Sequence, residues 1–137
     1  MNLFSNIVFL SHLICNNIKE YFNERAEVSC DPILTDSLNW YGHATTIMNL
    51  SEVLIITDPV ISNRLGIFKR VVKKPYDLKN IKFDYILLSH GHMDHTDFTS
   101  LIKLNKDAII IVPKGYKKLM KLIGFKKVVV LRHNEVY

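Results

Sequence analysis

The chain has 137 residues, of which 48% are hydrophobic and 23% are charged, and its formal net charge is +5. This length and composition are typical of one ordinary globular domain and exclude a disordered or collagen-like chain. Two cysteines, Cys15 and Cys30, are too few for a disulfide framework, so we expect buried or half-buried thiols and a reducing, cytoplasmic environment. The basic residues lack the groove-reading motifs and interleaved aromatics of nucleic-acid-binding proteins, so no nucleic-acid partner is expected.

A first segment is predicted over residues 1–25, where apolar residues recur at helical spacing. They are Phe4, Ile7, Val8, Leu13, Ile14, Ile18, Tyr21 and Phe22. This stripe predicts an amphipathic helix that docks on the rest of the chain; additional contact with a membrane surface is compatible with the pattern but is not predicted. The apolar run has no preceding basic residue or cleavage signal, which argues against a secretory peptide, and it is shorter than the about 20 residues of a membrane span. A polar stretch containing Pro32 predicts a linker over residues 26–37.

The pattern changes to short strands in the third predicted segment, a domain over residues 38–137. Strands are predicted at residues 38–41, 45–50, 53–57, 83–89, 108–112 and 127–131. Helices are predicted after a cap at Thr96 or Asp97 and over residues 115–123, and the basic segment up to Asn80 is predicted to be a long loop. Strands that alternate with helices favour an α/β sheet, here with an antiparallel start.

A dense group of metal-ligand side chains follows the strand predicted at residues 83–89. In an extended segment residues two apart point the same way, so His90 and His92 can share one ion. Asp94 and His95 are expected to project from the first turn of a following helix and to serve a second ion. Imidazole and mixed nitrogen and oxygen ligands favour zinc, with iron or manganese as alternatives. A chance cluster of exposed histidines is the weaker interpretation, because histidines in a core usually occur singly.

Three segments together resemble the metallo-β-lactamase superfamily. They read WYGHAT at residues 40–45, ITDPV at residues 56–60 and LSHGHMDH at residues 88–95, and they occur in the family's order. Within the superfamily they are most similar to the branch containing N-acylphosphatidylethanolamine-hydrolysing phospholipase D and the ascorbate-6-phosphate lactonase type of hydrolase. The resemblance implies an α/β fold that forms the N-terminal half of a four-layer αββα sandwich. The predicted amphipathic helix precedes this region.

The resemblance also implies a role for each residue of the third motif. His90 and His92 would bind the first metal ion, and Asp94 and His95 the second, with two zinc ions in the complete family site. Asp94 would also be the catalytic residue, because it would orient a hydroxide held between the ions, whose pKa the metal lowers to about 7.

Two further residues are implied to support this site. Asp58 would accept a hydrogen bond from a ligand histidine and fix its tautomer, and it also suits the turn before Pro59. His43 either lines the site or packs in the turn after the first strand. Trp40 is expected in the core rather than in contact with substrate.

The family completes its site with two histidines and a bridging aspartate from a second half. The remaining candidates are Asp97, Asp107, His133 and Glu135, and of these Asp97 is expected to cap a helix and His133 is a weak ligand candidate. Three explanations compete: an N-terminal portion of a longer hydrolase, a non-catalytic remnant or interaction module, and a half-domain completed by another chain. The first is favoured because half a sandwich exposes an apolar sheet face, so the missing half or self-association is needed.

For the intact relative, the resemblance implies metal-assisted hydrolysis of a phosphodiester, phospholipid-like or lactone ester bond in a small-molecule or lipid-like substrate. The basic residues at 69–74 are compatible with a phosphate group, and a merely solvated face is the alternative. An RNA phosphodiesterase is a rival hypothesis, which a salt-dependent affinity for RNA would favour.

Overall fold

The structure is a computed structural model that describes residues 3–25, 32–66 and 68–137. Residues 26–31, half of the predicted linker and including Cys30, lie outside these described residues. The helices are α1 (Leu3–Phe22), α2 (Phe98–Leu101) and α3 (Lys117–Leu122). The strands are β1 (Ser37–Gly42), β2 (Thr45–Leu50), β3 (Val53–Thr57), β4 (Arg64–Leu65), β5 (Phe68–Lys69), β6 (Tyr85–Leu87), β7 (Ile109–Pro113) and β8 (Lys127–Leu131).

A six-stranded mixed sheet with the order β1-β2-β3-β6-β7-β8 forms the centre of the fold. The first three strands are antiparallel, and β3, β6, β7 and β8 run parallel. The predicted α/β fold with an antiparallel start is therefore confirmed. Because β3 and β6 are parallel neighbours, the segments that follow them leave the sheet at the same edge.

One face of the sheet carries the hydrophobic core. Ile47, Ile56, Ile86 and Ile110 lie in register on four adjacent strands and are completely buried. Alternation along each strand sends these residues to one face, which is covered by the loops and by residues of α2 and α3. Truncation of any of these isoleucines to alanine would cost about 2–5 kcal/mol of stability.

The opposite face of the sheet is also apolar but is only half-buried. Ile55, Tyr85 and Ile109 are aligned in one row across three strands, and Leu87 and Ile111 are paired in the next row. These residues alternate with the buried core residues, so they point away from the core. An apolar sheet face of this extent is a surface that needs a partner layer.

We expect this face to make the purified chain self-associate. Replacing Ile55 and Ile111 with threonine keeps β-branched side chains in the strands but removes apolar surface. We expect the association free energy to fall by roughly 1.4 kcal/mol, which weakens self-association about tenfold. Sedimentation velocity measures the change, with the exposed pair Leu122→Thr and Val136→Thr as the control. A wild-type chain that sediments as a monodisperse monomer at all concentrations would contradict this expectation.

Helix α1 docks on the rest of the chain while most of its apolar stripe stays exposed. Leu13, Asn17 and Glu20 are half-buried, whereas Ile7 and Ile18 of the stripe are 57% and 53% exposed. The predicted docking of α1 is confirmed, but the stripe contributes only in part: Tyr21 contacts Arg64, and most other members are exposed. Periodicity identifies the apolar side of a helix but not what covers it. Among the described residues, no helix combines the length and apolar character needed to cross a membrane.

Three further predictions are corrected by the structure. The predicted long loop contains the β4–β5 hairpin and a 3-10 turn at Leu78–Asn80. Trp40 is not in the core but 70% exposed, because β1 is an edge strand and Trp40 alternates with buried Tyr41. Cys15 is exposed on α1 rather than buried or half-buried.

Candidate metal centre

The candidate ligands gather where β3 and β6 end. Asp58 follows β3 directly, and its backbone N–H donates to the carbonyl of Leu87 at 2.9 Å. The histidine-rich segment, residues 89–95, starts two residues after Leu87. The parallel pairing of β3 and β6 therefore brings Asp58 and this segment to one edge of the sheet.

Asp58 is the most buried acidic group of the site, with 7% exposure. Its Oδ1 accepts from the backbone N–H of Ser89 at 2.7 Å, and its Oδ2 accepts from the Ser89 hydroxyl at 2.6 Å. Oδ2 also lies 2.9 Å from Nδ1 of His95. Because a carboxylate can only accept hydrogen bonds, His95 donates through Nδ1 and keeps the lone pair of Nε2 for another partner.

The backbone of Asp58 is also held in place. Its φ is +38°, a left-handed conformation that aspartate tolerates better than most residues. The hydroxyl of buried Thr45 donates to the carbonyl of Asp58 at 2.7 Å and accepts from the N–H of Val60 at 2.9 Å. These two hydrogen bonds fix the turn that directs the Asp58 carboxylate toward the histidine-rich segment.

His43, Asp94 and His95 form a compact group of potential metal ligands. One ligand atom from each lies within 4.8 Å of the others. The Oδ2 atom of Asp94 is 3.3 Å from Nε2 of His43 and 3.7 Å from Nε2 of His95. His43 reaches this position from the turn between β1 and β2, where its φ is +52°. Two imidazoles and a carboxylate are a nitrogen and oxygen set that fits zinc or a similar divalent ion.

The electrostatics of the group keep Asp94 ionised. Burial raises the pKa of Asp94, but hydrogen bonds from its own backbone N–H and from His43, with the electrostatic interaction with His95, outweigh burial. The net pKa lies below the ordinary value of an aspartate, so the side chain is a carboxylate at neutral pH.

His90 and His92 form a second pair beside this group. Nε2 of His90 faces Nδ1 of His92 at 3.0 Å. Two nitrogen ligands of one tetrahedral zinc ion, each about 2.0–2.1 Å from the metal, are roughly 3.4 Å apart, so this spacing suits a shared ion. The ring centroids of His90 and His95 are 4.1 Å apart, so the His90–His92 pair lies beside the group that contains His95.

A turn rather than a helix presents Asp94 and His95. The N–H groups of His95 and Thr96 both donate to the carbonyl of His92, at 3.0 and 2.7 Å. Helix α2 begins later, after Asp97, whose side chain accepts from Thr99. The expectation that Asp94 and His95 leave a first helical turn is therefore wrong, and the capping role of Asp97 is confirmed. Thr96 also donates to the carbonyl of His90 at 2.7 Å and tightens the turn.

Arg70 is a supporting residue that the sequence patterns did not reveal. Its guanidinium donates to the carbonyls of Val60 at 2.6 Å and Tyr41 at 3.3 Å, and it lies 5.3 Å from the centre of the Tyr41 ring. Burial lowers the pKa of Arg70, and burial also raises the pKa of Tyr41 to about 12. Arg70 thus ties the end of β1, just before His43, to the segment after Asp58.

Tyr116 is a second residue that sequence reasoning missed. A Cβ atom added to Gly91 would lie 1.4 Å from the Tyr116 hydroxyl, so a larger residue between His90 and His92 would force the Tyr116 side chain to move. Tyr116 precedes α3 and therefore sets the path of the histidine-rich segment from the outside. The signal available in the sequence was Gly91 itself, since a glycine often marks a close approach.

We expect Gly91→Ala to lower the free energy of unfolding by about 1–3 kcal/mol, because the new methyl group overlaps the Tyr116 ring. Urea unfolding of Gly91→Ala, Tyr116→Ala and the double variant measures the coupling between the two residues. The double variant should lose less stability than the sum of the single variants. Additive losses would show that Tyr116 does not restrict residue 91.

The mixed sheet, with histidines and aspartates gathered at the ends of two parallel strands, defines an α/β protein with a candidate metal centre. Residues 37–137 match the family described as the Beta-lactamase superfamily domain. The chain belongs to the metallo-β-lactamase superfamily of metal-dependent hydrolases, and the predicted family is confirmed.

Three curated relatives illustrate the similarity. The chain is 35% identical over 94 residues to N-acyl-phosphatidylethanolamine-hydrolyzing phospholipase D 1 of Caenorhabditis elegans, covering 62% of this chain and 26% of the relative. It is 34% identical over 115 residues to the mitochondrial protein of that description from Saccharomyces cerevisiae, covering 72% and 24%. It is 30% identical over 74 residues to a metal-dependent hydrolase of Christiangramia forsetii, covering 54% and 30%. The matched region is thus 24–30% of the length of these relatives.

Solved structures share the fold. An isothiocyanate hydrolase from Delia radicum gut bacteria has a TM-score of 0.59 and 21% identity, covering 73% of this chain and 43% of that chain. A diiron beta-hydroxylase from Streptomyces venezuelae has a TM-score of 0.53 and 23% identity, covering 74% and 21%.

Proposed function

We propose that this chain supplies the metal-binding part of a hydrolase that cleaves a phosphodiester bond in a phospholipid-like substrate. The observation that carries the proposal is the convergence of His43, Asp94 and His95, with Asp58 fixing the orientation of His95. Zinc is the proposed metal, with iron or manganese as alternatives. A bound divalent ion supplies Lewis acidity and activates water near neutral pH.

The proposed roles follow from the ligand atoms and their partners. His90 and His92 would hold one ion through their facing nitrogens, and Asp94 and His95 would hold a second. The carboxylate of Asp94 would also orient the attacking water, as the catalytic residue. His43, at 3.3 Å from Asp94, would hold that carboxylate in place.

The proposed substrate class rests on the cavity beside the site. A cavity of about 360 Å³ extends from His43 past Trp40 and Val60 to the hairpin, and its lining is largely apolar. Arg70 and Lys69 also line it and bring positive charge. An apolar cleft with basic groups suits an anionic phosphate attached to an apolar chain. The names of the Caenorhabditis and Saccharomyces relatives include a lipid of this class, N-acyl-phosphatidylethanolamine.

A chimera tests this proposal in the context of a complete domain. Residues 37–137 would replace the matched segment of the Caenorhabditis relative, and hydrolysis of N-acylphosphatidylethanolamine, a lactone and an RNA diester would be compared. We expect hydrolysis of the lipid, and a decrease of kcat/KM by about 10³-fold or more in the Asp94→Ala chimera, the size expected for loss of an essential catalytic group. A folded, metal-loaded chimera that is inactive on the lipid, or whose activity does not depend on Asp94, would contradict the proposal.

A further inference from the structure

The C-terminal end of α1 is fixed to the β4–β5 hairpin by several hydrogen bonds. The ammonium group of Lys69 donates to the carbonyls of Tyr21 at 2.6 Å and Asn23 at 3.1 Å. The guanidinium of Arg64 donates to the Tyr21 hydroxyl at 2.8 Å and lies 4.7 Å from the centre of its ring. The side chain of Asn17 accepts from the backbone N–H of Lys69 at 3.3 Å. The orientation of α1 on the hairpin is therefore defined by polar contacts and by the Tyr21 ring, the member of the stripe that takes part in them.

These contacts leave most of the apolar stripe of α1 facing solvent. Within Leu3–Phe22 the charged residues are Lys19 and Glu20, and the stripe contains none. The members of the stripe that are at least 42% exposed are Phe4, Ile7, Val8, Ile14, Ile18, Tyr21 and Phe22. An exposed apolar stripe on a 20-residue helix is far more than the scattered apolar residues of an ordinary surface.

The region next to the end of α1 combines apolar and basic side chains. Residues 59–76, which contain the β4–β5 hairpin and are called the hairpin segment below, include five basic residues and no acidic residue. The basic residues are Arg64, Lys69, Arg70, Lys73 and Lys74. Phe68, Val71 and Val72 in the same segment are 36%, 49% and 40% exposed. Both the helix and the hairpin segment therefore offer apolar side chains to solvent, and the hairpin segment adds positive charge.

We propose that α1 and the hairpin segment form a docking surface for an anionic lipid membrane, with α1 lying in the plane of the interface. An amphipathic helix buries its apolar side at the boundary between headgroups and acyl chains, and nearby lysines and arginines attract anionic headgroups. The cavity beside the candidate metal centre is lined by Phe68, Val71 and Val72, so it opens on this surface.

The charge distribution favours lipid over a second copy of the chain as the occupant. Pairing two copies through α1 would bring two segments rich in lysine and arginine close together, and like charges at an interface are unfavourable. The same segments are complementary to phosphate-bearing headgroups. Nucleic acid fits less well, because the apolar stripe of α1 has no counterpart on a phosphate backbone.

Flotation of the 137-residue chain with vesicles on a density gradient tests the proposal. The vesicles would be pure phosphatidylcholine or phosphatidylcholine with 30 mol% phosphatidylserine, and EDTA would be present so that binding is separated from metal chemistry. The double variant Ile14→Asp and Ile18→Asp changes the stripe. The double variant His12→Asp and Asn16→Asp adds the same number of carboxylates at exposed polar positions of α1. Flotation is used because protein that self-associates stays at the bottom of the gradient.

We expect the wild-type chain to float with the anionic vesicles, less with phosphatidylcholine alone, and less in 0.5 M salt. The stripe variant should lose about tenfold or more in apparent vesicle affinity, and the polar-side variant about twofold or less, as expected when apolar insertion dominates. Absence of wild-type flotation with anionic vesicles, or equal binding by the two variants, would overturn the proposal. If the stripe variant changed the sedimentation coefficient of the free protein but not its binding to vesicles, the stripe would contact a second copy of the chain, and the proposal would be wrong. Because EDTA is present, these outcomes do not depend on whether the proposed hydrolase function is correct.

Discussion

Replacing Asp94 with alanine is expected to weaken zinc binding by about 100-fold or more, since even residues that only support a ligand contribute 10–100-fold. The reason is geometric: Oδ2 of Asp94 lies 3.3 Å from Nε2 of His43 and 3.7 Å from Nε2 of His95. Its removal leaves imidazoles with no anionic ligand between them. Isothermal titration with zinc at neutral pH measures the loss.

Asp107→Ala is the matched control for this substitution. Asp107 is an exposed carboxylate that pairs with Lys126 at 2.8 Å, and it lies outside the ligand group. Its replacement removes the same charge and should leave zinc affinity within about twofold, because an exposed and distant charge acts only through screened electrostatics. Equal losses for the two variants would show that general charge, rather than coordination, controls zinc binding.

Replacing Asp58 with asparagine is expected to reverse the tautomer of His95. The carboxylate accepts from Nδ1 of His95 at 2.9 Å, whereas an asparagine NH₂ group in the same place donates. The proton of the imidazole would then move to Nε2, the nitrogen that faces Asp94. We expect zinc affinity to fall about 10–100-fold, the usual effect of losing a partner that orients a metal-binding histidine. Long-range ¹H–¹⁵N correlation spectra of the imidazoles report the tautomer directly.

The same substitution is expected to destabilise the fold. Asp58 also accepts from the backbone N–H and the hydroxyl of Ser89, and it is almost completely buried. Losing part of this network should cost about 1–3 kcal/mol in urea unfolding. Asp36→Asn is the control, because Asp36 is exposed and accepts from the N–H of Ser51 far from the ligands. An unchanged His95 tautomer in Asp58→Asn would contradict the proposed role of Asp58.

Local sequence patterns predicted the elements that depend on short-range order. Residues 45–50, 53–57 and 127–131 are apolar runs between turn residues, and the corresponding strands begin and end where predicted. Asp97 caps α2 because its side chain can reach an N–H two residues ahead, which is also a local property.

Long-range contacts explain what the patterns could not predict. The β4–β5 hairpin has strands of only two residues, and its Lys69 bonds to α1 about 48 residues earlier in the chain. The exposure of Trp40 follows from the edge position of β1, which is a property of the whole sheet. The stripe of α1 recurs with the same helical period whether it is buried or exposed, so the period could not predict its exposure.

Most candidate ligands could be named from the sequence, but their grouping in space could not. The spacing of His90, His92, Asp94 and His95 indicated metal ligands, and the structure places all four at one edge of the sheet. His43 meets Asp94 across 51 residues, and only the antiparallel start of the sheet brings it there. The isolated Gly42-His43 pair between two strands was the one available signal.

X-ray absorption at the zinc edge tests the central claim most directly, namely that the histidines and Asp94 at the ends of β3 and β6 bind the metal. The claim predicts nitrogen and oxygen scatterers at about 2.0–2.1 Å, with the outer-shell signature of imidazole. This signature should decrease in His95→Ala and stay unchanged in His133→Ala. A sulfur scatterer at about 2.3 Å, or a spectrum that is insensitive to His95→Ala, would contradict the claim.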